Sequence, residues 1–156
     1  MKQLKHPATN IIGIELRTTN ENGKAFAEIP PFWGKFFAEG IVAQIPNKQS
    51  NDVYAIYTNF ANEGQNNLGI YSLIIGCPVT SLENIPEGFV SVELADSNYN
   101  VFTVKENKTE LVGESWQEIW ALSESDKEWD SRRAYKAEFE LYSESGEIEI
   151  FIGMKD

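Results

Sequence analysis

The stretch from Ala134 to Gly153 constrains the fold more than any other part of the chain. It reads AYKAEFELYSESGEIEIFIG. Before the turn at residues 143–146, every second residue is apolar, which is the period-two pattern of a strand with one buried face. After the turn, isoleucine recurs at every second position, at Ile148, Ile150 and Ile152. The stretch therefore predicts a β-hairpin with one apolar face.

The opposite face of this hairpin is predicted to mix carboxylates with aromatic rings. With the turn at residues 143–146, that face would carry Glu138, Glu140, Tyr142, Glu149 and Phe151. Such a face is either a solvated surface or a site for a flat, apolar and positively charged molecule.

Length and composition indicate one globular domain. The chain has 156 residues, of which 42% are hydrophobic and 12% aromatic. It contains no apolar run of the roughly 20 residues that a membrane span needs. The N-terminal MKQLKHPATN lacks the apolar core of a signal peptide, so we expect a cytoplasmic protein with no membrane partner. The single cysteine, Cys77, excludes an intrachain disulfide.

The charge balance narrows the range of partners. The formal net charge is −11, from 24 acidic and 13 basic residues. An acidic surface repels phosphate backbones, and the chain has no basic stripe, so we expect no direct binding to nucleic acid. The charge either serves solubility or attracts cationic ligands.

The predicted elements repeat along the chain. Residues 1–10 form a lead-in or an edge strand, and 123–133 a charged loop. Strands are predicted at 11–17, 53–58, 69–76, 89–94, 99–104 and in the hairpin, and helices from about Ile29 and over 109–122. The order strand, helix, strand, strand thus occurs twice.

A shift of 83 positions aligns Trp33 with Trp116 and Tyr57 with Glu140. We therefore predict an α+β fold of duplicated β-α-β-β units with pseudo-two-fold symmetry. Helices would lie on one side of antiparallel sheets, and the units would enclose a central ligand groove.

Several loose motifs in this order resemble a known family. They are IIGIELRTTNENG, the Trp33-x-x-Phe36 helix, VYAIYTNF with IYSLIIG, YNVFTV, SWQEIW, and the pair AEFELY and EIEIFIG. Together they are similar to the GyrI-like effector-binding domains. The resemblance implies one domain over 1–156, with a first repeat at about 11–76, a connector at 77–97 and a second repeat at about 98–153.

The single-domain form most resembles the integron-associated effector-binding proteins, whose members bind cationic lipophilic drugs. In the family, the glutamate of an F-E-x-Y strand neutralises the charge of the ligand. The matching residues here run from Phe139 to Tyr142, so the resemblance assigns that role to Glu140. The family often ends in a triplet such as Ile-Pro-Ile, where this chain has Ile152-Gly153-Met154.

Glu140 also has a physical case of its own. A carboxylate in a partly desolvated aromatic groove is costly unless a positive charge pairs with it. The alternative is a solvated glutamate paired with Lys136 or Arg133. The predicted ligand-binding residues are Glu140, Tyr57, Tyr142, Phe151, Glu149 and Trp120.

Each of the other predicted ligand-binding residues also has a purely structural interpretation. The three rings besides Trp120 could instead pack the sheet, Glu149 could be a surface charge, and Trp120 could belong to the helix core. Glu138 is predicted to be a surface charge, with a second carboxylate lining the groove as the alternative, and Trp33 and Trp116 are predicted to be core residues. Trp129 either covers the groove or packs against the hairpin.

The sequence offers no catalytic triad, metal-ligand cluster or phosphate-binding loop, so we predict no catalytic residue, metal or cofactor. His6 is the only histidine, and Cys77 has no basic neighbour in sequence. We therefore expect a stand-alone sensor or sequestering protein, acting in transcription regulation or drug response. The family also contains hydrolases of strained cyclopropanes, where the groove glutamate would act as a general base. A third alternative is an acidic interaction module like the gyrase inhibitor. A homodimer or a separate regulator partner is compatible with each of these.

Overall fold

The computed structural model describes all 156 residues, Met1–Asp156. Its strands are β1 (Lys2–His6), β2 (Thr9–Thr19), β3 (Val53–Thr58), β4 (Ile70–Val79), β5 (Val90–Leu94), β6 (Ser97–Thr103), β7 (Arg133–Tyr142) and β8 (Ile148–Met154). Its helices are α1 (Lys24–Ala38), α2 (Ile41–Gln44), α3 (Val112–Ser125) and α4 (Lys127–Arg132). None of the helices has the length and apolar character that a membrane crossing requires.

All strands form one antiparallel sheet in the order β1-β6-β8-β7-β3-β4-β2-β5. The segment β2-α1-β3-β4 fills one half of this order, and β6-α3-β7-β8 fills the other. Strands β3 and β7 pair in the middle. The predicted α+β class with helices on one side of an antiparallel sheet is confirmed.

One face of the sheet is covered by the long helices. Phe32 and Phe36 of α1 pack on buried side chains of β2, β3 and β4, while Trp116 and Ile119 of α3 pack on the isoleucines of β8. Burying a side chain of this size stabilises the fold by about 1.5–3 kcal/mol. Tyr57 packs against both clusters, so the cores beneath the two helices adjoin at the central strands.

The other face is closed by curvature of the sheet. Strands β5 and β6 lie near opposite ends of the strand order, yet only Ala95 and Asp96 separate them. The Cα atoms of Leu94 and Ser97 are therefore at most about 11 Å apart. The ends of the sheet must come together, and they enclose a cluster formed by Ile11, Tyr54, Ile56, Leu94, Tyr99, Val101, Phe139 and Phe151.

The prediction that the first helix begins near Ile29 is wrong, because α1 begins at Lys24 and contains Pro30 and Pro31 in its interior. A proline removes the hydrogen bond to the carbonyl four residues earlier. Here those carbonyls belong to Phe26 and Ala27, which are exposed to water. The helix therefore continues through the prolines.

Two features of the second half also differ from expectation. The helix predicted over 109–122 begins at Val112, after a 3₁₀ turn, and ends at Ser125. The charged loop contains α4, in which Trp129 is only 2% exposed. Its indole N–H donates to Oδ1 of Asn100 at 2.9 Å. Trp129 is thus a core residue held by a buried hydrogen bond.

The hairpin register differs from the prediction by one residue. The loop has five residues, closed by a hydrogen bond from the Ser143 N–H to the Glu147 carbonyl at 2.9 Å, so Tyr142 pairs with Ile148. A slip of one residue moves every side chain to the other face of a sheet. The isoleucines of β8 therefore share the helix-covered face with Glu140. The predicted shared face of Glu140, Glu149 and Phe151 is wrong.

Candidate functional site

Glu140 lies at the centre of the sheet, beneath the gap between α1 and α3. It pairs with Ala55 of β3 on one side and Ile150 of β8 on the other. Tyr57 lies two residues along β3 from Ala55, on the same face of the sheet, and its hydroxyl reaches Glu140. Glu140 is only 2% exposed, so its carboxylate is almost fully removed from water.

Three side chains donate hydrogen bonds to this carboxylate. Its Oε2 atom accepts from the Tyr57 hydroxyl at 2.8 Å and from the Trp116 indole N–H at 2.7 Å. Its Oε1 atom accepts from the Tyr142 hydroxyl at 2.6 Å. All three donors are electrically neutral. Both oxygen atoms of the carboxylate therefore accept hydrogen bonds, but none of these donors compensates its charge.

No cation pairs with Glu140. The alternative pairing with Lys136 or Arg133 does not occur, because Lys136 is exposed and Arg133 binds Glu138. Burial raises the pKa of the Glu140 carboxyl above its ordinary value, and its three hydrogen bonds act in the opposite direction. Burial and the nearby carboxylate both raise the pKa of the Tyr57 hydroxyl, so this donor keeps its proton.

Aromatic side chains from both helices surround the carboxylate. The ring of Trp33 lies edge-to-face with Tyr142, with centroids 5.2 Å apart, and Trp116 lies likewise with Tyr57, at 5.4 Å. One turn further along, Phe37 stacks on Trp33 and is 68% exposed, while Trp120 contacts Trp116 and is 44% exposed. Each helix thus places one ring against the tyrosines, Trp33 or Trp116, and a more exposed ring beside it, Phe37 or Trp120.

The structure brings together only part of the predicted set. Tyr57 and Tyr142 contact Glu140 directly, and Trp120 lies at the outer edge of the same aromatic cluster. Phe151 instead stacks on Phe139 on the opposite face of the sheet, with centroids 4.5 Å apart. Glu149 lies on that face too, where it forms an ion pair with Lys2 at 3.0 Å.

Two residues of the site were assigned to the helix cores from the sequence. Trp116 packs in the core beneath α3, but its indole N–H also reaches Glu140. Trp33 packs beside Tyr142 at the other wall. The alignment of these two tryptophans at a shift of 83 positions is the signal that could have placed them both near Glu140.

The prediction that Glu138 is a surface charge is wrong. This side chain is 1% exposed and accepts a hydrogen bond from the Arg133 guanidinium at 2.5 Å. Arg133 in turn donates to the Ser123 hydroxyl of α3 at 2.7 Å. The pair lies on the same face of β7 as Glu140, two residues away.

The polar groups that contact Glu140 are neutral hydrogen-bond donors. Its polar neighbours are two phenols and an indole. Cys77 is buried in the core beneath α1, where burial raises its pKa to about 11 and keeps the thiol protonated. No group of three histidine, cysteine or acidic side chains is arranged to hold a metal ion.

Solved structures resemble this chain over nearly its whole length. An integron cassette protein from the mobile metagenome of Vibrio cholerae is 24% identical, with a TM-score of 0.73, covering 99% of this chain and 95% of that one. A putative transcription regulation protein from Staphylococcus aureus MU50 is 18% identical, with a TM-score of 0.74 and coverages of 99% and 97%. At these identities the likeness establishes a shared fold.

A third structure is that of SAV2435 bound to tetraphenylphosphonium, at 18% identity and a TM-score of 0.74, covering 99% of this chain and 93% of that one. No curated protein matches the sequence significantly. The family model of the integron-associated effector binding proteins matches residues 4–154, almost the entire chain. The chain therefore belongs to the integron-associated effector binding protein family.

Proposed function

We propose that this protein binds small lipophilic cations between α1 and α3, with Glu140 as the counter-charge. The observation that carries the proposal is the state of this carboxylate, which is buried among aromatic rings and hydrogen-bonded only to neutral donors. An uncompensated buried charge is unfavourable, and a cation that reaches it removes that cost. Membership of an effector-binding family supports small-molecule binding in general.

Aromatic rings supply the second part of the binding energy. A cation against the face of a tryptophan or tyrosine ring gains about 0.5–2 kcal/mol, and the site offers such rings on both walls. Few directional hydrogen bonds would fix the ligand, so selection rests on charge and apolar shape. We expect dissociation constants in the micromolar range, which corresponds to about −8 kcal/mol.

Binding must be coupled to movement of side chains. Because Glu140 is almost fully buried, a ligand that contacts it has to displace some of the surrounding rings. Tyr57 and Tyr142 are half-buried and each holds the carboxylate through a single hydroxyl. In this proposal, a change of side-chain rotamer in either tyrosine opens the carboxylate to the ligand, and the exposed rings of Phe37 and Trp120 are available for stacking.

Two of the similar structures support this assignment by analogy. One is of a protein bound to tetraphenylphosphonium, a lipophilic cation, and the other is described as a putative transcription regulation protein. We infer that the present protein acts as a stand-alone sensor or sequestering protein, with a role in drug response or transcription regulation.

The experiment compares a cation with a neutral molecule of nearly equal shape. Methyltriphenylphosphonium and triphenylphosphine oxide share three phenyl rings and differ chiefly in charge. Tryptophan fluorescence, to which Trp33, Trp116 and Trp120 contribute, reports binding of each to the wild type and to Glu140→Gln. The matched control is Glu149→Gln, which removes a carboxylate from the opposite face.

We expect the wild type and Glu149→Gln to prefer the cation by at least tenfold. Glu140→Gln is expected to bind both molecules with similar, weak affinity. Equal binding of the two molecules to the wild type, or an unchanged preference in Glu140→Gln, would reject the proposal.

A further inference from the structure

Two buried carboxylates lie side by side on the helix-covered face of β7. Glu138 and Glu140 are two residues apart in a strand, a spacing of about 6.6 Å. They are 1% and 2% exposed. Their partners differ in charge: Glu140 accepts hydrogen bonds from neutral groups only, whereas Glu138 binds the guanidinium of Arg133. The site therefore carries one compensated and one uncompensated carboxylate.

An irregularity in β7 makes this pairing possible. In a regular strand, Arg133 and Glu138 would point to opposite faces, because five positions separate them. Here Arg133 pairs with Met154 and Glu138 with Ile152, so five steps along β7 span only two along β8. Tyr135, inside the bulge, has a φ of +50°, which is uncommon for a residue other than glycine. The bulge thus brings Arg133 to the face of the sheet that carries Glu138, where it also reaches Ser123 of α3.

The arginine is held firmly in this position. Its second terminal nitrogen donates to the Ser123 hydroxyl, and its guanidinium carbon lies 4.3 Å from the ring centroid of Tyr135 and 5.7 Å from that of Trp129. The Tyr135 hydroxyl is itself bound to Asp130 at 2.5 Å. With 1% exposure, Arg133 has no access to solvent ions. Its positive charge therefore stays with Glu138.

We propose that Arg133 determines the charge class of the ligand. By compensating Glu138, it leaves the groove with a single net negative charge, and the site therefore selects singly charged over doubly charged cations. This inference rests on the proposed cation site at Glu140. Without the arginine, two neighbouring carboxylates would face the ligand, and a dication would gain more than a monocation from the second one.

The first test removes the charge of Glu138 alone. In Glu138→Gln the amide oxygen still accepts the hydrogen bond from Arg133, but the positive charge of the arginine is no longer compensated. The guanidinium would then repel a cation bound at the neighbouring Glu140, and this repulsion is only weakly screened in the low effective dielectric of a buried site. We expect the affinity for methyltriphenylphosphonium to fall about tenfold, while that for triphenylphosphine oxide changes less than twofold.

The second test varies the charge of the ligand at constant shape. 1-Methyl-4-phenylpyridinium and 1,1′-dimethyl-4,4′-bipyridinium are biaryls of almost equal size with one and two positive charges. Arg133→Gln is expected to shift the ratio of their affinities about tenfold toward the dication. The double variant Arg133→Gln/Glu138→Gln has no charge at either position, and its ratio is expected to lie within twofold of the wild-type ratio.

The outcomes separate this inference from the proposed function. If Glu140→Gln abolishes the preference for cations, but Glu138→Gln leaves the affinity for methyltriphenylphosphonium unchanged and Arg133→Gln leaves the valence ratio unchanged, the role of Arg133 is rejected and the cation site stands. If the wild type shows no preference for cations, the proposed function fails first. Circular dichroism confirms the fold of each variant. Should Arg133→Gln not fold, a loss of cation affinity in Glu138→Gln and its recovery in the double variant decide the question.

Discussion

Replacing Glu140 by glutamine is expected to stabilise the folded protein at neutral pH. The pKa of this carboxyl is raised in the folded state, chiefly by burial. A raised pKa means that the folded state disfavours the ionised form more than the unfolded state does. The charge therefore costs stability at pH 7. That cost is absent where the group is protonated in both states, and it develops as the pH rises through the folded-state pKa.

The geometry indicates that glutamine fits without new strain. The Oε2 atom accepts from Tyr57 and Trp116, a role that the amide oxygen of glutamine can fill. The Oε1 atom faces only the Tyr142 hydroxyl, which can rotate and accept from the amide N–H₂ instead. All three hydrogen bonds are thus retained in weaker, neutral form.

The expected gain is about 1 kcal/mol at pH 7.5, the lower end of the range found when buried ion pairs are replaced by uncharged residues of similar volume. For a domain of this length, that raises the melting temperature by about 2–4 °C. Differential scanning calorimetry of the wild type and Glu140→Gln from pH 7.5 down to 4 measures the difference. It should shrink at the acidic end, where the wild-type carboxyl is protonated.

Glu149→Gln again serves as the control, with a change of less than about 0.5 kcal/mol for a partly exposed ion pair. A lower melting temperature for Glu140→Gln at pH 7.5 would show that the three hydrogen bonds outweigh the desolvation of the charge. In that case the driving force that we assign to cation binding would be absent.

Three further expectations concern the rest of the fold. Burial lowers the pKa of His6, whose Nδ1 also bonds the Pro7 carbonyl, so on acidification the unfolded state binds a proton before the folded state does. The free energy of unfolding measured by urea titration should therefore fall as the pH drops below about 6.5, and should fall less in His6→Gln. Phe151→Leu should lower the free energy of unfolding in thermal melts by about 1–2 kcal/mol, because it loses the stacking on Phe139, but it should leave cation affinity unchanged. Trp129→Phe should lower the free energy of unfolding by about 1–3 kcal/mol in the same assay, because the buried side-chain amide oxygen of Asn100 loses its donor.

Much of the fold could be predicted from alternation alone. The strand predicted at 53–58 is β3, and the repeated order of strand, helix, strand, strand is present. Period-two patterns are informative here because one face of each central strand packs under helices while the sheet curls around the other. This two-sided burial also explains why the cluster around Phe139 and Phe151 was not predicted. The alternation predicted strands with one buried face, whereas the curvature that buries the second face depends on long-range strand pairing.

The grouping of side chains around Glu140 could be predicted from the sequence only in part. Glu140, Tyr57 and Tyr142 could be placed together because they lie on strands with regular pairing. Phe151 was misplaced because one extra loop residue reverses a face, and loop length is hard to determine from a run of small polar residues. The pairing of Arg133 with Glu138 depends on a bulge with positive φ at a tyrosine, for which the sequence carries no local signal.

The measurement that addresses Glu140 as counter-charge is its own titration in the free and ligand-bound protein. Carbon-13 NMR of the labelled carboxyl group gives the pKa in the free protein, with methyltriphenylphosphonium and with triphenylphosphine oxide. A cation beside the carboxylate stabilises the ionised form. We therefore expect the phosphonium to lower the pKa of Glu140 by at least one unit, with the oxide leaving it unchanged or raising it. An equal pKa in all three states, despite saturating binding of the cation, would mean that the ligand charge does not meet Glu140.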